Sequence, residues 1–163
     1  MTLAFKTMPS PVGELKLVVS DIGLVAILWP NDRPGRVRLG AMAEDRRHPV
    51  LVEVERQLSI YFAGSLARFD VQLDFRGTDF QKSVWQALLA IPFGETRSYA
   101  AIARTVGRPA AVRAVGAANG RNPISIIAPC HRVIGSNGAL TGFAGGLDAK
   151  HYLLRLEARS AAT

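Results

Sequence analysis

Only one cysteine, Cys130, occurs in the 163 residues. That excludes an internal disulfide and a zinc site built from several cysteines, so no metal is expected, and it suits a reducing compartment. Long hydrophobic runs are also missing, and no apolar stretch approaches the roughly 20 residues that a membrane span requires. The N-terminus, Met1-Thr2-Leu3-Ala4-Phe5-Lys6, lacks the basic region and long apolar run of a secretory signal. A cytoplasmic protein with no membrane partner is therefore expected. The third shortage is acid. Between Thr96 and Leu147 lie six arginines (Arg97, Arg104, Arg108, Arg113, Arg121 and Arg132) and no Asp or Glu.

The net charge of +7 is correspondingly uneven. Residues 1–78 carry ten Lys/Arg against nine Asp/Glu, whereas residues 79–163 carry ten against four. A one-signed stretch of this length creates a positive field that suits a polyanion. A basic surface that merely keeps the protein wet is the plainer alternative, but with no compensating acid, nucleic acid is the better fit. With 48% hydrophobic residues, the chain can build a real core.

The pattern predicts an α+β protein: a small β-sheet N-terminal domain over residues 1–77, then a mainly helical domain over 78–163. Short apolar runs at Leu3–Thr7, Leu15–Val19 and Leu24–Trp29, separated by Pro/Gly and Asp/Gly turns, read as antiparallel strands. Asn31–Pro49 is polar and aperiodic and reads as a loop. Leu51, Val54, Leu58, Tyr61 and Phe62 fall on helical spacing closed by Gly64, and Phe69, Val71, Leu73 and Phe75 alternate as in a strand.

Thr78 and Gln81 then form a capping-box pattern ahead of a helix that buries Phe80, Val84, Trp85, Leu88 and Ile91. Ser98 can cap the next helix, which Gly107 stops, and a third helix runs from Ala110 to about Asn119. Two short helices joined through Gly and Pro in an arginine-rich stretch make a helix-turn-helix pattern. In the third helix Val112 and Val115 can face the core. Ala110, Ala111, Ala114, Ala117 and Ala118 leave a face with Arg113 as its one long side chain. Helix propensity explains the alanines simply; a slim helix pressed against a groove, with an arginine probe, is the functional reading. Ile124–Ala128 reads as a short buried strand, Gly142–Gly146 as a loop, and Asp148 as the cap of a last helix with Tyr152, Leu153 and Leu156 on its buried stripe.

Chemistry concentrates at Pro129-Cys130-His131-Arg132-Val133. A thiolate is the reactive form of cysteine, and neighbouring His or Arg charge lowers a thiol pKa. A free cysteine after an apolar run is more often an inert small core residue. Glu157, one turn beyond Leu153, lies at the edge of the buried stripe and could orient His131 as part of a Cys-His-Glu relay. Cys130 and His131 can meet only if the chain turns there.

Residues 129–133 resemble the active-site motif of the O6-alkylguanine-DNA alkyltransferases. Gly94-Glu95-Thr96-Arg97-Ser98-Tyr99, Arg113-Ala114-Val115-Gly116, Asn119-Gly120-Arg121-Asn122-Pro123 and Thr141-Gly142-Phe143-Ala144-Gly145-Gly146-Leu147 are similar in order and spacing. The resemblance covers residues 78–158. It implies a ribonuclease H-like N-terminal domain and a winged-helix type of C-terminal domain. It also implies irreversible transfer of an alkyl group, typically methyl, from O6-alkylguanine in double-stranded DNA to Cys130 after nucleotide flipping, with no cofactor. The roles implied are Cys130 as acceptor, His131 as base through water, Glu157 as its orienter, Asn122 as a brace and Tyr99 as donor to the departing base. Arg113 would fill the space of the flipped nucleotide, with Ser98, Ala114, Ala118, Asn119 and Arg121 around it on the DNA side. Tyr99, Pro129, Val133, Phe143, Ala144 and Gly145 would line the substrate pocket. Phe143 and Ala144 stand where some relatives carry tyrosine and serine hydroxyls. A monomer is expected, with clustering of several copies on DNA left open. A non-catalytic damage sensor, a cysteine hydrolase and a plain helix-turn-helix regulator are the rival readings; each leaves either the thiol or the arginine-rich helices unexplained.

Overall fold

The computed structural model describes residues 2–161. The first three apolar runs form an antiparallel meander of β1 (Leu3–Met8), β2 (Leu15–Val19) and β3 (Leu24–Leu28). The segment expected to be a loop over 31–49 contains β4 (Met42–Glu44), which runs parallel to β1 at the sheet edge, giving the order β3-β2-β1-β4. Three residues are too few to show a periodicity. Helix α1 (Pro49–Phe62) starts at a proline, whose missing N–H costs nothing in the first turn, and buries Leu51, Val54, Leu58 and Tyr61 against the sheet.

The alternating run at 69–75 is extended but forms only one bridge, Leu24 to Leu73. Its apolar side chains pack on the core, while the backbone of Asp70 bonds the side chain of Gln57 instead of a strand. Alternation there reports burial and not a ladder.

Helix α2 (Asp79–Leu89) carries both bonds of the Thr78/Gln81 capping box. Helix α3 (Tyr99–Thr105) is capped by Ser98, whose hydroxyl accepts from the Ala101 amide. Gly107, at φ +77°, closes it and turns the chain into α4 (Val112–Gly120). That helix begins two residues later than its composition suggests, because Ala111 N–H first closes a turn onto Arg108. Val112 is exposed and not core-facing; Val115, Ala118 and Asn119 form the buried side.

Two-residue strands β5 (Arg97–Ser98) and β6 (Val133–Ile134) pair in parallel and tie the start of α3 to the end of the Cys130 segment. Ile124–Ala128 is a turn and not a strand. The Asn122 side chain accepts from Ile124 N–H and donates to Ala128 C=O, taking the bonds a ladder would have used. Helix α5 (Leu147–Ala161) opens one residue before Asp148, which sits in its first turn and is not the cap.

The apolar interior has three parts, the smallest being Leu3, Val18, Val25 and Ala26 of the meander; the two larger ones frame the site. One joins the meander and α1 to Ile124, Ile126 and the α5 residues Leu153 and Leu156. The other packs α2, α3 and α4 around Cys130 and Val133. The cysteine therefore sits where the two cores meet.

Gly107 has open space around its Cα, so a methyl there would clash with nothing and the cost would be purely that of the left-handed backbone. Gly107→Ala is expected to lower stability by roughly 1–2 kcal/mol, read as a reduced urea midpoint at unchanged slope.

Candidate active site

Cys130, His131 and Arg132 form a single 3₁₀ turn after Pro129. This is the bend that lets adjacent residues converge. Behind it, Ile126 is buried with φ +76°, a left-handed conformation that costs a β-branched residue on the order of 1–3 kcal/mol. The Asn122 bonds to Ile124 and Ala128 hold the chain in that path. Asn122 C=O in turn accepts from Arg36 Nη1 at 2.8 Å, and Arg36 is paired through its Nε with Asp32 at 2.6 Å. A buried arginine from the N-terminal half thus grips the turn that carries the cysteine.

Glu157 organises the other side. Its carboxylate accepts from Tyr61 Oη at 2.5 Å, His131 Nε2 at 2.6 Å, Arg132 Nε at 2.8 Å and Nη2 at 3.0 Å, and Gly94 N–H at 3.3 Å. Burial works to raise the Glu157 pKa, but the hydrogen bonds and charges of His131 and Arg132 outweigh it and hold the carboxyl at about 2. An ionised carboxylate can only accept, so His131 Nε2 carries the proton. Burial pushes the His131 pKa below its ordinary value, more than Glu157 raises it. The ring is neutral at neutral pH, and Nδ1, which has no partner among the described residues, is left with its lone pair.

The thiol differs from the sequence expectation. Burial raises the Cys130 pKa, while hydrogen bonding from Asn122 and Ser125 and the charges of Arg36 and Lys150 oppose that without overcoming it. Arg132 spends its charge on Glu157, and the neutral His131 supplies none. Cys130 is thus a protonated thiol at rest and needs a base at the moment of reaction.

Tyr99 lies half-buried at the start of α3, and its hydroxyl shares a 2.5 Å hydrogen bond with Thr141 of the glycine-rich loop. Lys150 is fully buried. Its ammonium donates to Val133 C=O at 2.7 Å and Thr141 C=O at 3.4 Å, tying the loop to β6, and burial lowers its pKa. Phe143 packs edge-on to Trp29, and Gly145 lies so close to the Trp29 ring that a Cβ would come within 2.6 Å. Ala144 is half-buried beside them, and Pro129 and Val133 are buried.

Of the residues expected to face DNA, Arg113 and Ala114 on α4 and Arg121 just past its end are exposed. Ala118 and Asn119, expected to face DNA, are buried. Ala118 packs in the second core and its carbonyl accepts from the Trp85 indole; the Asn119 amide points to Cys130 C=O at 3.5 Å. Helical rotation from Val115 places both on the inner face. Ser98 is half-buried and its hydroxyl is used as a cap. Lys150 could have been found from its i, i+3 spacing with Leu153 on the buried stripe. Arg36, in an aperiodic loop, offered no such signal. Among the described residues no cluster of three or more His, Cys, Asp or Glu could hold a metal ion.

A buried single thiol adjacent in the chain to an oriented neutral imidazole, in the same half as a basic helix-turn-helix, suits a cysteine-dependent protein directed at nucleic acid. Comparisons with known proteins agree. Residues 79–159 match the DNA binding domain of 6-O-methylguanine DNA methyltransferase, and residues 3–75 match its ribonuclease-like domain. The methylated-DNA–protein-cysteine methyltransferase of Mycolicibacterium paratuberculosis is 49% identical over 96% of this chain and 93% of its own. That of Methanosarcina acetivorans is 65% identical over 91% and 94%. The crystal structure of Mycobacterium tuberculosis OGT in complex with DNA superposes with a TM-score of 0.89 at 48% identity, covering 96% of this chain and 94% of that one. The chain belongs to the O6-methylguanine-DNA methyltransferase family, and it repairs DNA by direct, suicide-type alkyl transfer to cysteine.

Stability follows from the same charges. Glu157 has a depressed pKa, so its contribution is complete above about 4.5 and is lost as pH falls toward 2. His131 is held neutral, so its contribution is complete above 6.5 and is also lost on acidification. The urea midpoint is expected to fall from pH 6.5 downward and to steepen below 4.5, with the lower part of that loss missing in Glu157→Gln, itself destabilised by about 3–5 kcal/mol at pH 7. A midpoint constant from pH 6.5 to 3 would contradict this.

Proposed function

We propose that the residues described above divide the transfer as follows. Cys130 Sγ attacks the alkyl carbon on guanine O6; the S–C bond forms as the C–O bond breaks, and the electron pair goes to the purine. The thiol proton passes through a water to His131 Nδ1, whose lone pair no described residue uses. The observation that carries this assignment is the buried His131–Glu157 contact at 2.6 Å, which fixes the proton on Nε2 and leaves Nδ1 to receive another. Glu157 is a positioning residue, and Asn122 with Arg36 supports the turn.

Tyr99, oriented by Thr141, donates to the departing base, because an unprotonated guanine anion leaves poorly. The reacting carbon lies inside the duplex, so the nucleotide must be flipped out at a cost of a few kcal/mol, and Arg113 fills the space left in the stack. The thioether product has no good leaving group, so each molecule acts once. Nucleophile, base and proton donors all come from the chain, and no cofactor is called for. Work in the reducing cytoplasm keeps the thiol available, and a monomer suffices, since both halves of the site lie on one chain.

Incubation with a duplex containing O6-methylguanine, followed by intact-mass measurement, should show one added methyl per chain, located on the Cys130 peptide and absent from Cys130→Ala. More than one equivalent, or another labelled residue, would refute the assignment.

Arg113→Ala should slow reaction with the duplex by roughly tenfold or more, the scale of a lost flipping contribution, while reaction with free O6-benzylguanine changes far less. Equal losses on both substrates would remove Arg113 from the stack-filling role.

A further inference from the structure

The exposed face of α4 does not end at Arg113. Positions 113, 117 and 121 recur every four residues and are all exposed, so one stripe runs from Arg113 to Arg121, about 12 Å along the axis. At its far end Arg121 lines a cleft of about 160 Å³ together with Arg36, Arg38 and Arg76 from the N-terminal half, and with Gln81 and Trp85 of α2. Gln81 spends its Oε1 on the capping box, and the Trp85 indole bonds Ala118 C=O.

Four guanidinium groups meet two carboxylates here. Asp32 takes Arg36, and Asp74 takes Arg76 at 3.2 Å while also accepting from Ser20. Arg38 and Arg121 have no side-chain partner among the described residues. Two like charges facing one small cleft repel, and an anion between them relieves that cost. A tetrahedral phosphate matches the fork of an arginine donor.

We propose that this cleft seats a backbone phosphate of the same duplex that the helical pair engages, so that the N-terminal half takes part in holding DNA. The inference rests on the DNA-binding activity of the family and adds a site outside the helix-turn-helix. Arg121 stands about two helical turns from Arg113, so the seat lies away from the flipped base. Its contribution is independent of sequence and of damage.

The test uses the full chain and fluorescence anisotropy on an undamaged labelled duplex over a range of salt. Arg38→Ala with Arg76→Ala should weaken binding several-fold and lower the magnitude of the log–log salt slope by about 1. Methylphosphonates placed one at a time along the strand beyond the contact of Arg113 should weaken wild-type binding at the seated phosphate and leave the double variant indifferent there. The unfolding midpoint of the variant checks its fold. Methyl transfer by the wild type from an O6-methylguanine duplex to Cys130 tests the underlying activity separately. An unchanged slope in a folded double variant overturns the proposal. So does a cleft that binds inorganic phosphate at millimolar concentration while duplex binding stays insensitive to the substitutions.

Discussion

The geometry around the cysteine depends on one buried carboxylate. Glu157 comes from the last helix, yet it gathers donors from α1, from the Gly94 turn and from both residues that follow the cysteine. A buried charge of this kind is tolerated only because each lone pair is engaged and a bidentate arginine balances it. The consequence reaches beyond stability. With Glu157 ionised and accepting, His131 is confined to one tautomer, and Nδ1 is left with its lone pair. Arg132, which in the sequence looks like part of the positive field for DNA, is the counter-ion that makes this arrangement possible.

The second consequence is a thiol that is inactive until it is needed. A permanently ionised cysteine would be exposed to oxidation and to stray alkylation. Here the second core raises its pKa, and two cations outside the local motif, Arg36 and Lys150, limit how far. Both also hold backbone carbonyls, Arg36 at Asn122 and Lys150 at Val133 and Thr141. The same charges that ease formation of the thiolate therefore fix the two loops that frame it. The two halves of the chain meet at this seam, and the N-terminal half serves as part of the active-site wall as well as a scaffold.

How much of this was legible in the sequence varies with range. Short-range signals gave the caps at Thr78 and Ser98, the stop at Gly107 and the stripe that put Glu157 near the core. Those are local chemistries, and the structure repeats them. Signals that looked local but were decided by distant partners failed. The alternating run at 69–75 became an extension with a single bridge to Leu24, its start at Asp70 bonded to the Gln57 side chain. Ile124–Ala128 became a turn because the side chain of Asn122 replaced a neighbouring strand. Ala118 and Asn119 rotated inward once Val115 set the buried face of α4. The direction of the Cys130 pKa was illegible for the same reason: adjacent residues in sequence, His131 and Arg132, are committed to Glu157, while the charges that act on the thiol come from residues 36 and 150.

The central claim is therefore a statement about one proton. Nitrogen-15 NMR of His131 in the intact protein, followed across pH, reads its tautomer and charge directly. A neutral ring protonated at Nε2 at pH 7, remaining neutral below pH 6.5, is the result expected from the Glu157 geometry. A ring protonated at Nδ1, or an imidazolium already present at pH 7, would contradict the account, because either state leaves no base to receive the proton of Cys130.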